Sequence, residues 1–123
     1  MICIRITECE DGVELSAHGH AGYAPRGQDV VCAGVSALLY GFISYLEGLL
    51  PIATEKAARD GTPRLEVEDK DDVLRVRTYG MGGADTAGLA VIRAGLGLIA
   101  SCYPSFVMLD AHIHRKGDEY ESN

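Results

Sequence analysis

The stretch Gly19 to Ser36 reads G-H-A-G-Y-A-P-R-G-Q-D-V-V-C-A-G-V-S. It marks a change of hydrophobic period. Upstream, Val13, Leu15 and Ala17 alternate with Glu14, Ser16 and His18, the two-residue period of a half-buried strand. Downstream, Asp29 is a good N-cap, and an uncharged apolar run extends from Val30 to Leu46. The spacing predicts a helix from Asp29 to Leu50, ended by Pro51. A loop with Gly22, Pro25 and Gly27 joins the two. His20 therefore closes a strand, and Cys32 sits in the first turn of a helix, at opposite ends of one short connection.

The pattern extends in both directions. In Met1 to Glu8, Ile2, Ile4 and Ile6 share a face opposite Cys3, Arg5 and Thr7, which predicts a strand paired antiparallel to the next through the turn Glu10-Asp11-Gly12. Ala53 to Gly61 reads as a connection or a short helical turn. Leu65 and Val67, then Leu74 and Val76, predict a hairpin with the four-residue loop Asp69 to Asp72. Its expected register sets Glu66 opposite Arg77, Glu68 opposite Arg75 and Val67 opposite Val76. Ala84 to Tyr103 is a second helix ended by Pro104. Val107 to His114 alternates as a last strand at a sheet edge. The expected fold is α/β of the α+β type: an antiparallel sheet with two helices on one face, in the order β-β-α-β-β-α-β. Residues 1–115 form one domain, and the polar residues 116–123 a mobile tail.

Composition narrows the function. A net charge of -7 argues against grip on nucleic-acid phosphates, which needs a basic surface. The Val30 to Leu46 run approaches membrane-span length, but Gly34, Ser36, Gly41 and Ser44 interrupt it and no basic flank anchors it, so it reads as a buried helix and no membrane partner is expected. The four cysteines, Cys3, Cys9, Cys32 and Cys102, form no C-x-x-C pair, and no apolar leader opens the chain. A cytoplasmic protein with free thiols is expected. Two helices rich in small residues, among them Ala33, Ala37, Gly41 and Gly48 on one side of the first, predict a homodimer. Gly88, Gly95 and Gly97 each weaken the second helix by roughly 1 kcal/mol relative to alanine, a cost that close packing is expected to offset.

Cys32 carries the chemical argument. As third residue of a helix capped by Asp29, it lies where the helix dipole and unpaired N–H groups favour negative charge on sulfur or on an oxyanion. Ser36, one turn on, faces the same way. His20 can take the thiol proton and return it to a leaving amine, with Asp29 available to orient the imidazole. Other candidates are weaker. His18 reads as exposed. His112 and His114 share a face with Asp110, but no further ligand with metal spacing joins them. Gly80 to Gly83 lacks the lysine of a phosphate loop and reads as a turn. No cofactor or metal is expected.

The segment G-H-A-G-Y-A…G-x-D-x-V-C-A-x-x-S resembles the signature of the ribosomal-processing cysteine protease family called Prp. The resemblance implies a cysteine endopeptidase with a His–Cys dyad, His20 as base and Cys32 as nucleophile, with Asp29 and Ser36 in supporting positions. It implies a mobile substrate loop formed by Ala21, Gly22, Tyr23, Ala24, Pro25, Arg26, Gly27 and Gln28. The implied substrate is the large-subunit ribosomal protein twenty-seven, which loses an N-terminal extension, and the implied assembly is a dimer. A non-catalytic ribosome-assembly binding protein of the same fold, or another small thiol hydrolase, are the rival readings.

Overall fold

The computed structural model describes the backbone of residues 1–60 and 63–113, and their side chains except those of residues 52–60. The elements run β1 (Ile2–Glu8), β2 (Val13–His18), α1 (Val30–Asp60), β3 (Arg64–Lys70), β4 (Val73–Tyr79), α2 (Ala84–Cys102) and β5 (Val107–Ile113). The order is the expected one. Residues 114–123, with His114 and the predicted tail, lie outside the described residues.

The strands form one five-stranded sheet in the order β3-β4-β2-β1-β5. Four of them pair antiparallel, but β5 lies parallel to β1, with Ile4 opposite Leu109. The sheet is therefore mixed, which corrects the antiparallel expectation. Helix α2 supplies the reason: it carries the chain back across the sheet, so β5 enters the free edge of β1 from the same end as β1 itself.

Period-two alternation puts one apolar face toward the helices. Ile2, Ile4 and Ile6 of β1, Val13, Leu15 and Ala17 of β2, Leu74 and Val76 of β4, and Val107 of β5 are all buried. Against them α1 packs Val31, Val35, Leu39, Phe42, Ile43 and Leu46, and α2 packs Leu89, Ile92 and Leu96. Both helices are long and apolar enough to cross a membrane, yet these side chains are spent on the sheet. Each fully buried Leu, Ile or Phe contributes about 1.5–3 kcal/mol.

Pro51 lies inside α1 rather than at its end. Proline has no N–H for the carbonyl of Glu47, four residues back. Glu47, Gly48 and Pro51 are exposed, so water reaches that carbonyl and the helix continues to Asp60, through a segment expected to be a connection or a short helical turn.

The β3–β4 hairpin has the expected register, Glu66 opposite Arg77 and Val67 opposite Val76. Its loop is shorter than expected: Lys70 pairs with Val73, leaving only Asp71 and Asp72, at φ 55 and φ 61. Positive φ at both central residues is the type I′ turn that matches strand twist, and aspartate tolerates it. Arg77 turns from Glu66 to Asp11, at 2.9 Å, and Arg64 takes Glu66 at 3.3 Å.

The glycines of α2 have different reasons. A Cβ on Gly88 would lie 2.3 Å from the Tyr45 ring, and one on Gly95 3.0 Å from Leu38 Cδ1. Both make room for α1. Ala33, Ala37, Gly41 and Gly48 of α1 are exposed.

Candidate active site

The chain leaves β2 through Gly19, at φ +92, where a Cβ would stand 2.3 Å from the Met1 carbonyl oxygen. Only glycine permits that approach and that turn. His20 follows at once, off the sheet end, with its side chain 74% exposed. Ala21 is buried and pins the next residue to the core.

The loop from Gly22 to Gln28 is folded on itself by a turn in which the Gln28 N–H donates to the Pro25 carbonyl at 2.9 Å. Two attachments hold it. The Tyr23 ring stands edge-on to Tyr103 and Phe106, with centroids 5.4 and 5.3 Å away, at the corner between α2 and β5. The second is Asp29. Its Oδ1 accepts the Cys32 N–H at 2.9 Å, and its Oδ2 accepts the N–H groups of Tyr23 at 3.1 Å and Ala24 at 3.4 Å. The Cys32 N–H, joined by those of the loop, holds the Asp29 carboxyl below the usual carboxylate range.

Asp29 is thus the N-cap expected, and Cys32 is the third residue of α1. Its oxygens are engaged by backbone donors, and the imidazole of His20 is not among its hydrogen-bond partners. The sequence left open whether Asp29 also orients the imidazole or only caps the helix; in this structure its contacts are those of a cap and a loop tether. The N–H of Cys32 points at Asp29, and that of Ala33 at the Asp29 carbonyl, 3.0 Å away, so neither is free to hold an oxyanion.

One open cavity of about 900 Å³ brings the expected residues together. His20, Cys32, Asp29 and Ser36 line it, with Gly22, Ala24, Arg26, Gly27 and Gln28 of the loop. Of the predicted loop residues, Ala21, Tyr23 and Pro25 are not on its wall; the first two serve as anchors. Cys32 and Ser36 are half-buried, successive on one helix face. Asp72 completes the wall and was not singled out in the sequence. Its Oδ1 lies 3.7 Å from His20 Nε2. His18 is exposed, and among the described residues no three His, Cys, Asp or Glu side chains gather as metal ligands. Cys3, Cys9, Cys32 and Cys102 are free thiols.

A thiol on a helix start and an imidazole on the same open cleft, carried by a small mixed α+β sheet, have the makings of a cysteine-dependent hydrolase. Comparison with known proteins bears on this directly. The chain matches the family Cysteine protease Prp over residues 1–107, and it belongs to that family of hydrolases. It is 32% identical to the ribosomal processing cysteine protease Prp of Mycoplasma pneumoniae over 79% of this chain and 85% of that protein. The Mycoplasma genitalium protein of the same name is 27% identical over 78% of this chain and 85% of its own length. The structure of the Staphylococcus aureus ribosomal processing protease Prp with a covalently linked product peptide superimposes with a TM-score of 0.72. It covers 91% of this chain and all of its own, at 23% identity, which establishes the common fold.

Proposed function

We propose that this protein is the endopeptidase that removes the N-terminal extension of a ribosomal protein, the large-subunit protein twenty-seven named by the sequence resemblance. The observation that carries the reading is the placement of Cys32, third in α1, on the same cavity wall as His20. The relatives bear names of ribosomal processing proteases, and one relative of the same fold holds a product peptide covalently.

In this reading His20 takes the thiol proton of Cys32, and the thiolate adds to the scissile carbonyl carbon. The resulting oxyanion is met by side-chain donors of residues on the wall, the Gln28 carboxamide and the Ser36 hydroxyl. The C–N bond breaks as His20 returns the proton to the leaving amine, leaving a thioester on Cys32. His20 then deprotonates a water that attacks the thioester, and the thiolate leaves with the proton restored to the dyad. The loop from Ala21 to Gln28 forms one side of the cleft that receives the peptide.

The test is cleavage of a peptide spanning the extension. Cys32→Ala and His20→Ala are each expected to lose roughly 10³-fold or more in kcat. Cleavage by Cys32→Ala at the wild-type rate refutes the assignment.

The same reading takes residues 1–115 as a single catalytic domain, cytoplasmic, consistent with four free thiols. It takes the protein as a homodimer joined through the helices. Supporting this, an apolar groove of about 400 Å³ between α1 and α2 remains open, beside Val91, which is 72% exposed. Sedimentation velocity showing a monomer at micromolar concentration excludes the dimer.

A further inference from the structure

We propose that Asp72 is a positioning residue for His20, a carboxylate supplied by the β3–β4 turn to the base of the dyad. The inference rests on the proposed role of His20 and goes beyond it, because the third group comes from a part of the chain remote from the signature.

Sheet register makes the placement before any side chain is considered. β2 and β4 are antiparallel neighbours, and His18, the last residue of β2, pairs with Val73, the first of β4. His20 lies two residues beyond one strand end, and Asp72 one residue before the other. Both emerge at the same end of the sheet on adjacent strands. The tight turn sharpens this: with only Asp71 and Asp72 between the paired residues Lys70 and Val73, Asp72 cannot drift away on a longer loop. The side chains complete it, with Asp72 Oδ1 3.7 Å from His20 Nε2 and both on the wall that carries Cys32.

The other carboxylate on that wall is Asp29, and its oxygens accept three backbone N–H groups. Asp72 is the one that approaches the imidazole. Facing Nε2, it favours the tautomer with the proton there, and leaves the Nδ1 lone pair to accept the proton of the thiol. It also stabilises the imidazolium that forms once the thiol has ionised. The contact is longer than a hydrogen bond, as catalytic contacts in a free site often are before substrate binds.

The test uses Asp72→Gly. Asp-Gly is a favoured type I′ pair, so this variant removes the carboxylate while keeping the turn. The expected result is a fall of about tenfold or more in kcat with KM within about twofold, because an oriented base matters in the transition state. Asp72→Asn, which keeps an acceptor oxygen but no charge, falls in between. Asp71→Gly removes the same charge from the neighbouring position and is expected to retain wild-type kcat. Equal losses in Asp71→Gly and Asp72→Gly, a loss confined to KM, or no loss in Asp72→Gly each overturn the proposal. Alkylation of Cys32 by iodoacetamide, followed by peptide mapping that separates it from Cys3, Cys9 and Cys102, gives a readout free of any substrate. It is expected to slow in His20→Ala and in Asp72→Gly, and an unchanged rate in Asp72→Gly counts against Asp72. Wild-type protein that alkylates in this pattern but cleaves no ribosomal peptide would reject the assigned substrate and leave the positioning role standing.

Discussion

Replacing Thr78 by valine removes one hydroxyl from a chain of hydrogen bonds that joins three parts of the fold. Thr78 on β4 and Asp85 in the first turn of α2 are the two polar side chains buried among the described residues, at 0% and 2% exposure. The Thr78 hydroxyl donates to Asp85 Oδ2 and accepts the Val13 N–H of β2 at 2.9 Å, while Asp85 Oδ1 accepts the Thr86 N–H at 2.9 Å. Valine fills the same volume and does neither job. The Val13 N–H loses its acceptor, at a cost of about 1–3 kcal/mol, and the Asp85 carboxylate loses a donor worth about 1.5–3 kcal/mol. Water has little access, so the expected destabilisation is about 4 kcal/mol, a large part of a typical 5–15 kcal/mol stability. Urea unfolding followed by far-UV circular dichroism measures it, with a Tm lower by roughly 10–20 °C as the thermal counterpart. Thr78→Ser, which keeps the hydroxyl, should lose about 1 kcal/mol for its missing methyl. A Thr78→Val protein within about 1 kcal/mol of wild type, or a serine variant as weak as valine, would refute the account.

Other expectations are more local. Gly88→Ala gains about 1 kcal/mol of helix propensity, but its Cβ meets the Tyr45 ring and displaces a hydroxyl that donates to the Ala84 carbonyl at 2.8 Å. It should be net destabilising by about 1 kcal/mol in urea titrations, whereas Gly95→Ala, which only nudges Leu38, should be close to neutral. The Asp29 carboxyl has a folded-state pKa below its unfolded value, so the cap contributes above the unfolded value near ~3.9 and is lost as pH falls through the folded one. Near-UV circular dichroism of the Tyr23 cluster should therefore change in acid below about pH 4, and Asp29→Asn should remove that step while keeping a cap. Burial raises the Cys9 thiol, so iodoacetamide should label Cys9 more slowly than the exposed Cys102; equal rates would contradict the burial. The acidic protein should attract a basic substrate, so kcat/KM should fall between low and moderate salt; a flat response removes electrostatic steering from the account.

Much of the fold was legible because alternation and helical period report burial directly. The strands, the face containing Ile2, Ile4 and Ile6, and the hairpin register all followed from local pattern and cross-strand charge. What pattern does not carry is which strand lies beside which. The parallel pairing of β5 with β1 depends on where α2 returns the chain, and nothing in Val107 to Ile113 states it. Pro51 misled for a related reason: a proline ends a helix unless the carbonyl it orphans faces water, and that is decided by tertiary placement. The same limit hid Asp72. Its turn chemistry was visible, but its distance from His20 depends on β4 lying next to β2. Asp29 shows the converse. Its spacing from Cys32 announced the cap, while its bonds to the Tyr23 and Ala24 N–H groups required the loop to fold back.

Those last bonds bear on how such a protein can diversify. Tyr23 and Ala24 reach Asp29 through their main chain, so the link between loop and helix start is indifferent to the side chains at Pro25 and Arg26. Residues at those positions can change to suit a new substrate with the attachment intact. The geometry of the loop is not equally free. Inserting or deleting a residue between Tyr23 and Asp29 would draw the carboxylate away from the Cys32 N–H, and a change made for substrate fit would be felt at the sulfur. Substitution is the open route to altered preference in this loop, and change of length is the closed one.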